Sequence, residues 1–259
     1  MYNKKTTIDQ MGQEVTHRYP PETIISLVPS QTEFLFSLGL ESKIVGITKF
    51  CIHPKTLVKH KKRIGGTKNF KPDAIARLQP DLIVGNKEEN EEQGIRTLKN
   101  QFPVWMSDIS TLSDAYAMMQ QVGAITGKEA EAKLIVDRIK ECFQSLEIKK
   151  RKTALYFIWR EPYMLAAGDT FINDIMLLAG YDNLLVSEKR YPALEADALK
   201  AYAPECVLLS SEPFPFTEKH FEQFSLMFPT AEIKIVDGEM FSWYGSRLLQ
   251  APAYLQTLI

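Results

Sequence analysis

The chain has 259 residues, 45% of them hydrophobic and 24% charged, with a net charge of −1 at pH 7. That length supports one large domain or two lobes with separate cores, in an ordinary globular composition. The near-zero charge excludes bulk electrostatic recruitment of nucleic acid or an anionic membrane, and no apolar run approaches bilayer-spanning length.

The first residues, MYNKKTTIDQMGQEV, carry two lysines with no apolar stretch behind them, so they do not read as a secretion signal. An intracellular protein, or a leader removed ahead of this numbering, are the two alternatives. From there strand-like and helical segments alternate. TIISLV (23–28) leads into SQTEFLFSLGL, then KIVGI (43–47) and a helix after Pro72. DLIVG (81–85) is followed by a polar helix near 88–100, PVW (103–105) and a helix near 111–125. The second half repeats the rhythm: TALYFIW (153–159), a helix over 171–179, the strand NLLV and a helix over 196–203. ECVLLS (205–210), a helix over 217–227, EIKIVD (232–237) and a last helix near 246–258 complete it. Short apolar strands separated by helices predict parallel sheets covered on both faces.

Between the halves, residues 128–150 place Leu134, Ile135, Ile139, Cys142, Phe143 and Leu146 at spacings of three and four, without Gly or Pro. This predicts one amphipathic helix of roughly 30 Å. The expected organisation is an N-terminal α/β lobe with short N-terminal strands (1–127), the linking helix (128–150) and a C-terminal α/β lobe (151–259). Two internal similarities support paired lobes. DAIARLQPDLIV (73–84) and DALKAYAPECVL (197–208) share an outline at a constant offset, 197 − 73 = 124. FLFSLGLESKIVG (34–46) and IMLLAGYDNLLV (175–186) both read as a helix closed by glycine, Gly39 or Gly180, before a strand.

Several chemistries find no support. RIGGTKNF (63–70) is not a G-x-x-x-x-G-K-[ST] phosphate loop, and neither G-x-G-x-x-G after a strand nor G-x-S-x-G is present. His17, His53, His60 and His220 lack ligand spacing, and Cys51, Cys142 and Cys206 suit neither a disulfide framework nor a zinc site. Cys142 and Cys206 read as core residues. No metal site and no resident cofactor is therefore expected.

The informative loops follow strands. SLVPSQTE sets Ser30 three residues before Glu33, a capping box that also suits a ligand loop, with Gln31 beside it. KFCIHP offers Phe50 and His53, and FIWREPY offers Trp159, Arg160 and Tyr163. GEMFSWYGSR offers Trp243, Tyr244 and Arg247. Flat rings beside guanidinium donors suit a large planar or anionic ligand, and no nucleophile and base accompany them. Each aromatic taken alone also reads as core.

In order and spacing these motifs, VPSQTEFLFSLG, GITKFCIHP, IGGTKNF, DAIARLQPDLIVG, a long helix and AGDTFINDIMLLAGYDNLL, resemble the helical-backbone substrate-binding proteins of ABC importers. The similarity is to their cobalamin and ferric-siderophore branch and runs from about residue 8 to the end. It implies two Rossmann-like α/β lobes joined by a single long backbone helix, with the ligand in the cleft between them. It implies a monomer that captures a corrinoid or ferric siderophore, has no catalytic step, and delivers the chelate to transmembrane subunits. The implied contacts are Ser30, Gln31, Phe50, His53, Trp159, Arg160, Trp243, Tyr244 and Arg247, with His53 the candidate axial contact to a corrin metal. Asp73 and Asp197 fall where this family places the acidic residues that dock on transporter arginines, although the family usually has glutamate there. A first-turn carboxylate favoured by the helix dipole is the simpler role for each. The implied location is periplasmic or at the cell surface. A cytoplasmic chelate carrier or sensor on the same fold is the first alternative. A chelatase-like enzyme, for which only His53 and Glu239 could be offered, is the second.

Overall fold

The computed structural model describes residues 2–258. The chain divides into two compact units. The first comprises Met1–Ile109, Ser113–Lys140 and Tyr244–Leu249, and the second Ser110–Leu112, Glu141–Trp243 and Gln250–Ile259. Against the expected boundaries, the segment Tyr244–Leu249 joins the first unit rather than the C-terminal lobe.

The first unit opens with an antiparallel hairpin, β1 (Asn3–Ile8) on β2 (Glu14–Tyr19). Its main sheet combines β3 (Ile24–Ser26), β4 (Ile44–Ile47), β5 (Lys62–Arg63), β6 (Leu82–Asn86) and β7 (Val104–Ser107). The order is β5-β4-β3-β6-β7 and every pairing is parallel. The connecting helices are α1 (Pro29–Ser37), α2 (Pro72–Ala76), α3 (Glu92–Lys99) and α4 (Leu112–Thr126). Ile25, Leu27, Ile83, Ile95, Leu98 and Met106 are among the residues of one buried cluster beneath the sheet. They come from strands and from α3, as two-faced burial of a parallel sheet requires.

Helix α5 (Glu129–Gln144) begins where the periodicity predicts but stops six residues short of residue 150, giving a rod of about 24 Å. No Gly or Pro breaks it. Beyond it the Glu147 N–H is held by the Gln256 side chain at 3.0 Å, and the chain turns toward the next strand. Its buried stripe is Ala132, Val136 and Ile139, whereas Leu134, expected on that stripe, is 72% exposed. The division between the units falls inside this helix, after Lys140.

The second unit builds on β8 (Lys152–Trp159), followed by β9 (Tyr163–Leu165), α6 (Phe171–Leu178), β10 (Tyr181–Asn183), β11 (Ala193–Leu194) and α7 (Ala196–Leu199). Then come β12 (Cys206–Ser210), α8 (Phe221–Met227), β13 (Glu232–Val236), α9 (Gly238–Ser242) and α10 (Ala251–Gln256). The order is β11-β9-β8-β12-β13, with β10 pairing parallel to the start of β8. The sheet is mixed rather than wholly parallel, because β9 and β11 add an antiparallel ribbon. Tyr163, expected in a turn, lies in β9 with its ring edge-on to Phe157 and Phe224. The strand expected at NLLV lies earlier, at Tyr181–Asn183. Asn183 ends it, because its Oδ1 accepts the Leu185 N–H at 2.9 Å, the bond of an Asx-turn.

The two units repeat one device. Asp81, at the start of β6, accepts the Thr23 N–H at 3.1 Å, and its own N–H donates to Thr23 Oγ1 at 2.9 Å. Glu205, at the start of β12, accepts the Thr153 N–H at 2.9 Å and donates its N–H to Thr153 Oγ1 at 3.1 Å. Each reciprocal pair sets the start of neighbouring strands. Gly39 and Gly180, at φ +73° and +78°, close α1 and α6 in the left-handed conformation that glycine adopts without a Cβ clash.

Candidate functional site

In the first unit the chain starts at the centre of the sheet, builds outward through β4 and β5, then returns to place β6 and β7 on the other side. Loops leaving the carboxyl end of β3 and of its neighbours therefore diverge, the arrangement in which open α/β sheets hold ligands. Ser30 and Gln31 stand here, in the first turn of α1, both buried. The expected capping box does not form. Val28 is the N-cap and contributes no side-chain bond, Pro29 opens the helix, and Ser30 sits inside it. The Glu33 carboxylate instead accepts from Arg247, at 3.1 Å from Nε and 2.7 Å from Nη2. Both side chains are largely buried, so Arg247 ties the segment Tyr244–Leu249 to α1. Tyr244 is buried in the same unit.

A buried polar network lines this edge. Gln31 Nε2 donates to Ser107 Oγ at 2.6 Å, which also accepts from Asn86 Nδ2 at 3.0 Å. Thr32 Oγ1 donates to Ser26 Oγ at 2.8 Å. Gln31 Oε1 is buried and accepts no hydrogen bond among the described residues. The loop after β4 carries Phe50, half exposed to solvent, and His53, half-buried. Arg63 Nη1 holds this loop through the Thr48 and Cys51 carbonyls at 2.7 and 2.9 Å. Cys51 is buried against Thr32 and Thr48, and burial pushes its thiol up from the usual value. Cys206 lies within β12, where burial pushes its thiol up to about 11, and Cys142 is half-buried on α5. Both raised thiols are poor nucleophiles.

In the second unit Trp159 ends β8 and is 39% exposed, its ring edge-to-face with Phe214 at 5.6 Å. Arg160 pairs with Glu161 at 2.9 Å, while its Nε is buried without a partner among the described residues. Trp243 is only 7% exposed, and its Nε1 donates to Glu212 Oε1 at 2.8 Å, which also accepts from Ser242 Oγ at 3.0 Å. Burial raises the Glu212 carboxyl above the usual range, against the lowering effect of these two donors. Sequence reasoning missed Glu212 and Phe214. The signal was SEPFPF (211–216), an acid and two aromatics alternating with two prolines just past a buried strand.

Trp243 belongs to the second unit and Arg247 to the first. Both guanidinium groups face carboxylates, Arg160 with Glu161 and Arg247 with Glu33. Asp73 and Asp197 are exposed in the first turns of α2 and α7, and Lys200 at 2.7 Å holds the Asp197 carboxyl below its usual value. Among the described residues no group of three or more His, Cys, Asp or Glu side chains is placed to hold a metal ion. No described helix is long and apolar enough to cross a membrane.

Residues 24–227 match the periplasmic binding protein family, more than half of the chain. An uncharacterized ABC transporter substrate-binding lipoprotein of Bacillus subtilis, YvrC, is 25% identical over 215 residues, covering 78% of this chain and 68% of that one. A vitamin B12-binding protein of Vibrio parahaemolyticus is 24% identical over 198 residues, covering 74% of this chain and 71% of the relative. Among solved structures, the periplasmic heme-binding protein RhuT of Roseiflexus superposes with a TM-score of 0.80 at 17% identity, over 91% of this chain and 97% of that one. At that identity the superposition speaks for the fold alone. With the family match spanning strands of both units, this chain belongs to the periplasmic binding protein family.

Proposed function

We propose that this protein is the substrate-binding component of an ABC importer, and that its ligand is a metal chelate: a corrinoid, a haem or a ferric siderophore. It captures the chelate without chemical change and presents it to the transmembrane subunits, which act with the ATPase. The observation that carries this reading is the placement of exposed rings at the carboxyl ends of strands, Phe50 just past the end of β4 and Trp159 as the last residue of β8. Half-exposed aromatic faces on rigid strand ends are suited to stacking on a planar ligand. The family match and the relatives described above support transport as the context.

Within this reading Phe50 and Trp159 are the stacking contacts. Ser30, Gln31, His53 and Arg160 supply polar groups, while Trp243, Tyr244 and Arg247 shape the site from buried positions. Asp73 and Asp197 dock the protein on the transporter, which places it outside the cytoplasmic membrane. Titration of the intact protein with cyanocobalamin, haemin and ferric siderophores, followed by tryptophan emission, tests the reading. A bound coloured chelate should quench strongly, and Trp159→Phe should remove most of that quenching. It should also weaken binding by about 1 kcal/mol, the scale of an aromatic pair. Quenching and affinity unchanged in that variant would return Trp159 to a packing role. Turnover of a tetrapyrrole with a divalent metal would favour a chelatase instead.

A further inference from the structure

Residues 49–71 contain seven lysines and one arginine and no acidic residue, in a chain whose net charge is −1. None of these eight cations pairs with a carboxylate among the described residues. Their recorded acceptors are backbone carbonyls: Glu41 for Lys61, Glu88 for Lys68, and Thr48 and Cys51 for Arg63. Part of this charge has a simple role. Lys59, Lys61 and Lys62 lead into or form β5, the edge strand of its sheet, where charge discourages pairing with another chain.

Lys49 and Lys68 are different, because they follow the carboxyl ends of β4 and β5. The two loops are stitched together: the Lys49 N–H donates to the Gly65 carbonyl at 2.7 Å. The Phe50 ring lies over Gly66, so closely that a β-carbon there would meet its Cε2 at 3.3 Å. Lys49 Nζ stands 4.8 Å from the centre of that ring. Phe50 and Ile52 are 50% and 46% exposed. Lys49 thus sets an ammonium group beside exposed apolar surface with no ion pair among the described residues. Lys68, on the adjoining loop, holds the Glu88 carbonyl and stands near enough to Glu91 to help lower that carboxyl, while the two arginines singled out from the sequence are both in direct ion pairs.

We propose that these two loops select an anionic chelate, a metal complex whose flat apolar body carries carboxylate or phenolate groups. The ring and Ile52 receive the apolar body, and Lys49 and Lys68 receive the anionic substituents. A chelate without net charge gains the stacking but not the charge contacts. This inference rests on the chelate-binding reading and specifies the ligand's charge.

The test uses the intact protein and two probes, haemin with its two carboxylates and cyanocobalamin without net charge, at about 50 and about 500 mM salt. Haemin should bind at least about tenfold more tightly at low salt, and its affinity should fall severalfold at high salt. Lys49→Glu with Lys68→Glu should weaken haemin about tenfold or more, and Lys→Arg at both positions should restore binding. Lys59→Glu with Lys62→Glu makes the same charge change away from the carboxyl ends, and should cost less than about twofold. Tighter binding of cyanocobalamin would overturn the proposal and leave the chelate reading standing. Unchanged haemin affinity in the Lys49/Lys68 reversal, or equal losses in the two reversals, would do the same. If neither probe nor any ferric siderophore binds, the chelate reading falls, and this inference with it.

Discussion

Gln31 separates a ligand-facing role from a structural one, because its two polar ends are treated differently. The side chain is 1% exposed; Nε2 donates to Ser107 Oγ at 2.6 Å and, more weakly, to the Gly85 carbonyl at 3.4 Å. Oε1 is buried and unpaired among the described residues. Gln31→Met keeps length and volume and removes both polar atoms. Losing the Nε2 bond costs about 1 kcal/mol. Ser107 is not orphaned, since its hydroxyl still accepts from Asn86 and donates to the Gly85 carbonyl at 3.2 Å. Relieving the unpaired buried carbonyl returns about 1–3 kcal/mol. The ligand-free variant should therefore be as stable as the wild type, or up to about 2 kcal/mol more stable, in urea unfolding. If Oε1 accepts a donor from the ligand, the same variant should bind chelate about three- to tenfold more weakly, the value of one hydrogen bond. A destabilisation beyond about 2 kcal/mol with unchanged chelate affinity would refute this reasoning and make Gln31 a purely structural member of the network.

Two further predictions address docking and pH. Asp73→Lys with Asp197→Lys should leave chelate affinity intact and abolish ligand-dependent ATP hydrolysis by the reconstituted transporter, with partial loss for either change alone; full stimulation by the double reversal would remove the docking role. His17 is buried on β2, and burial, the largest cause, lowers its pKa below 6.5, with Lys5 adding to the effect and the Arg18 carbonyl and Asp81 opposing it. As pH falls through 6.5 the unfolded chain takes up this proton before the folded one, so stability should decline from there toward the folded pKa. His17→Gln should flatten that part of the profile, and an unchanged slope between pH 7.5 and 5.5 would contradict the assignment.

Local sequence determined the strands and where the chain turns. Ile24–Ser26, Leu82–Asn86 and Cys206–Ser210 are short apolar runs, the last two preceded by proline and an acid, and such runs are legible because burial on both faces demands continuous hydrophobicity. Gly39 and Gly180 were legible because only glycine takes the left-handed cap without strain. The repeat at an offset of 124 reflects a shared local plan, and the matching Asp81–Thr23 and Glu205–Thr153 pairs are its consequence in three dimensions. Helix α5 was legible as a periodic stripe, but its end was not. Residues 145–150 keep helix-compatible side chains and leave the helix because Glu147 is bound by Gln256, more than a hundred residues away. The same limit applies at the site. Nothing near Glu33 announces that its partner is Arg247, 214 residues on, rather than the Ser30 end of its own helix. Nothing near Trp243 announces Glu212. Such partners are chosen by strand order and register, which bring distant loops to one sheet edge, and a desolvated charge or indole N–H takes whichever complementary group that edge supplies. The sequence therefore determined the two-lobed α/β plan and the loops that carry the site, while tertiary structure alone decided which of their polar groups are already paired.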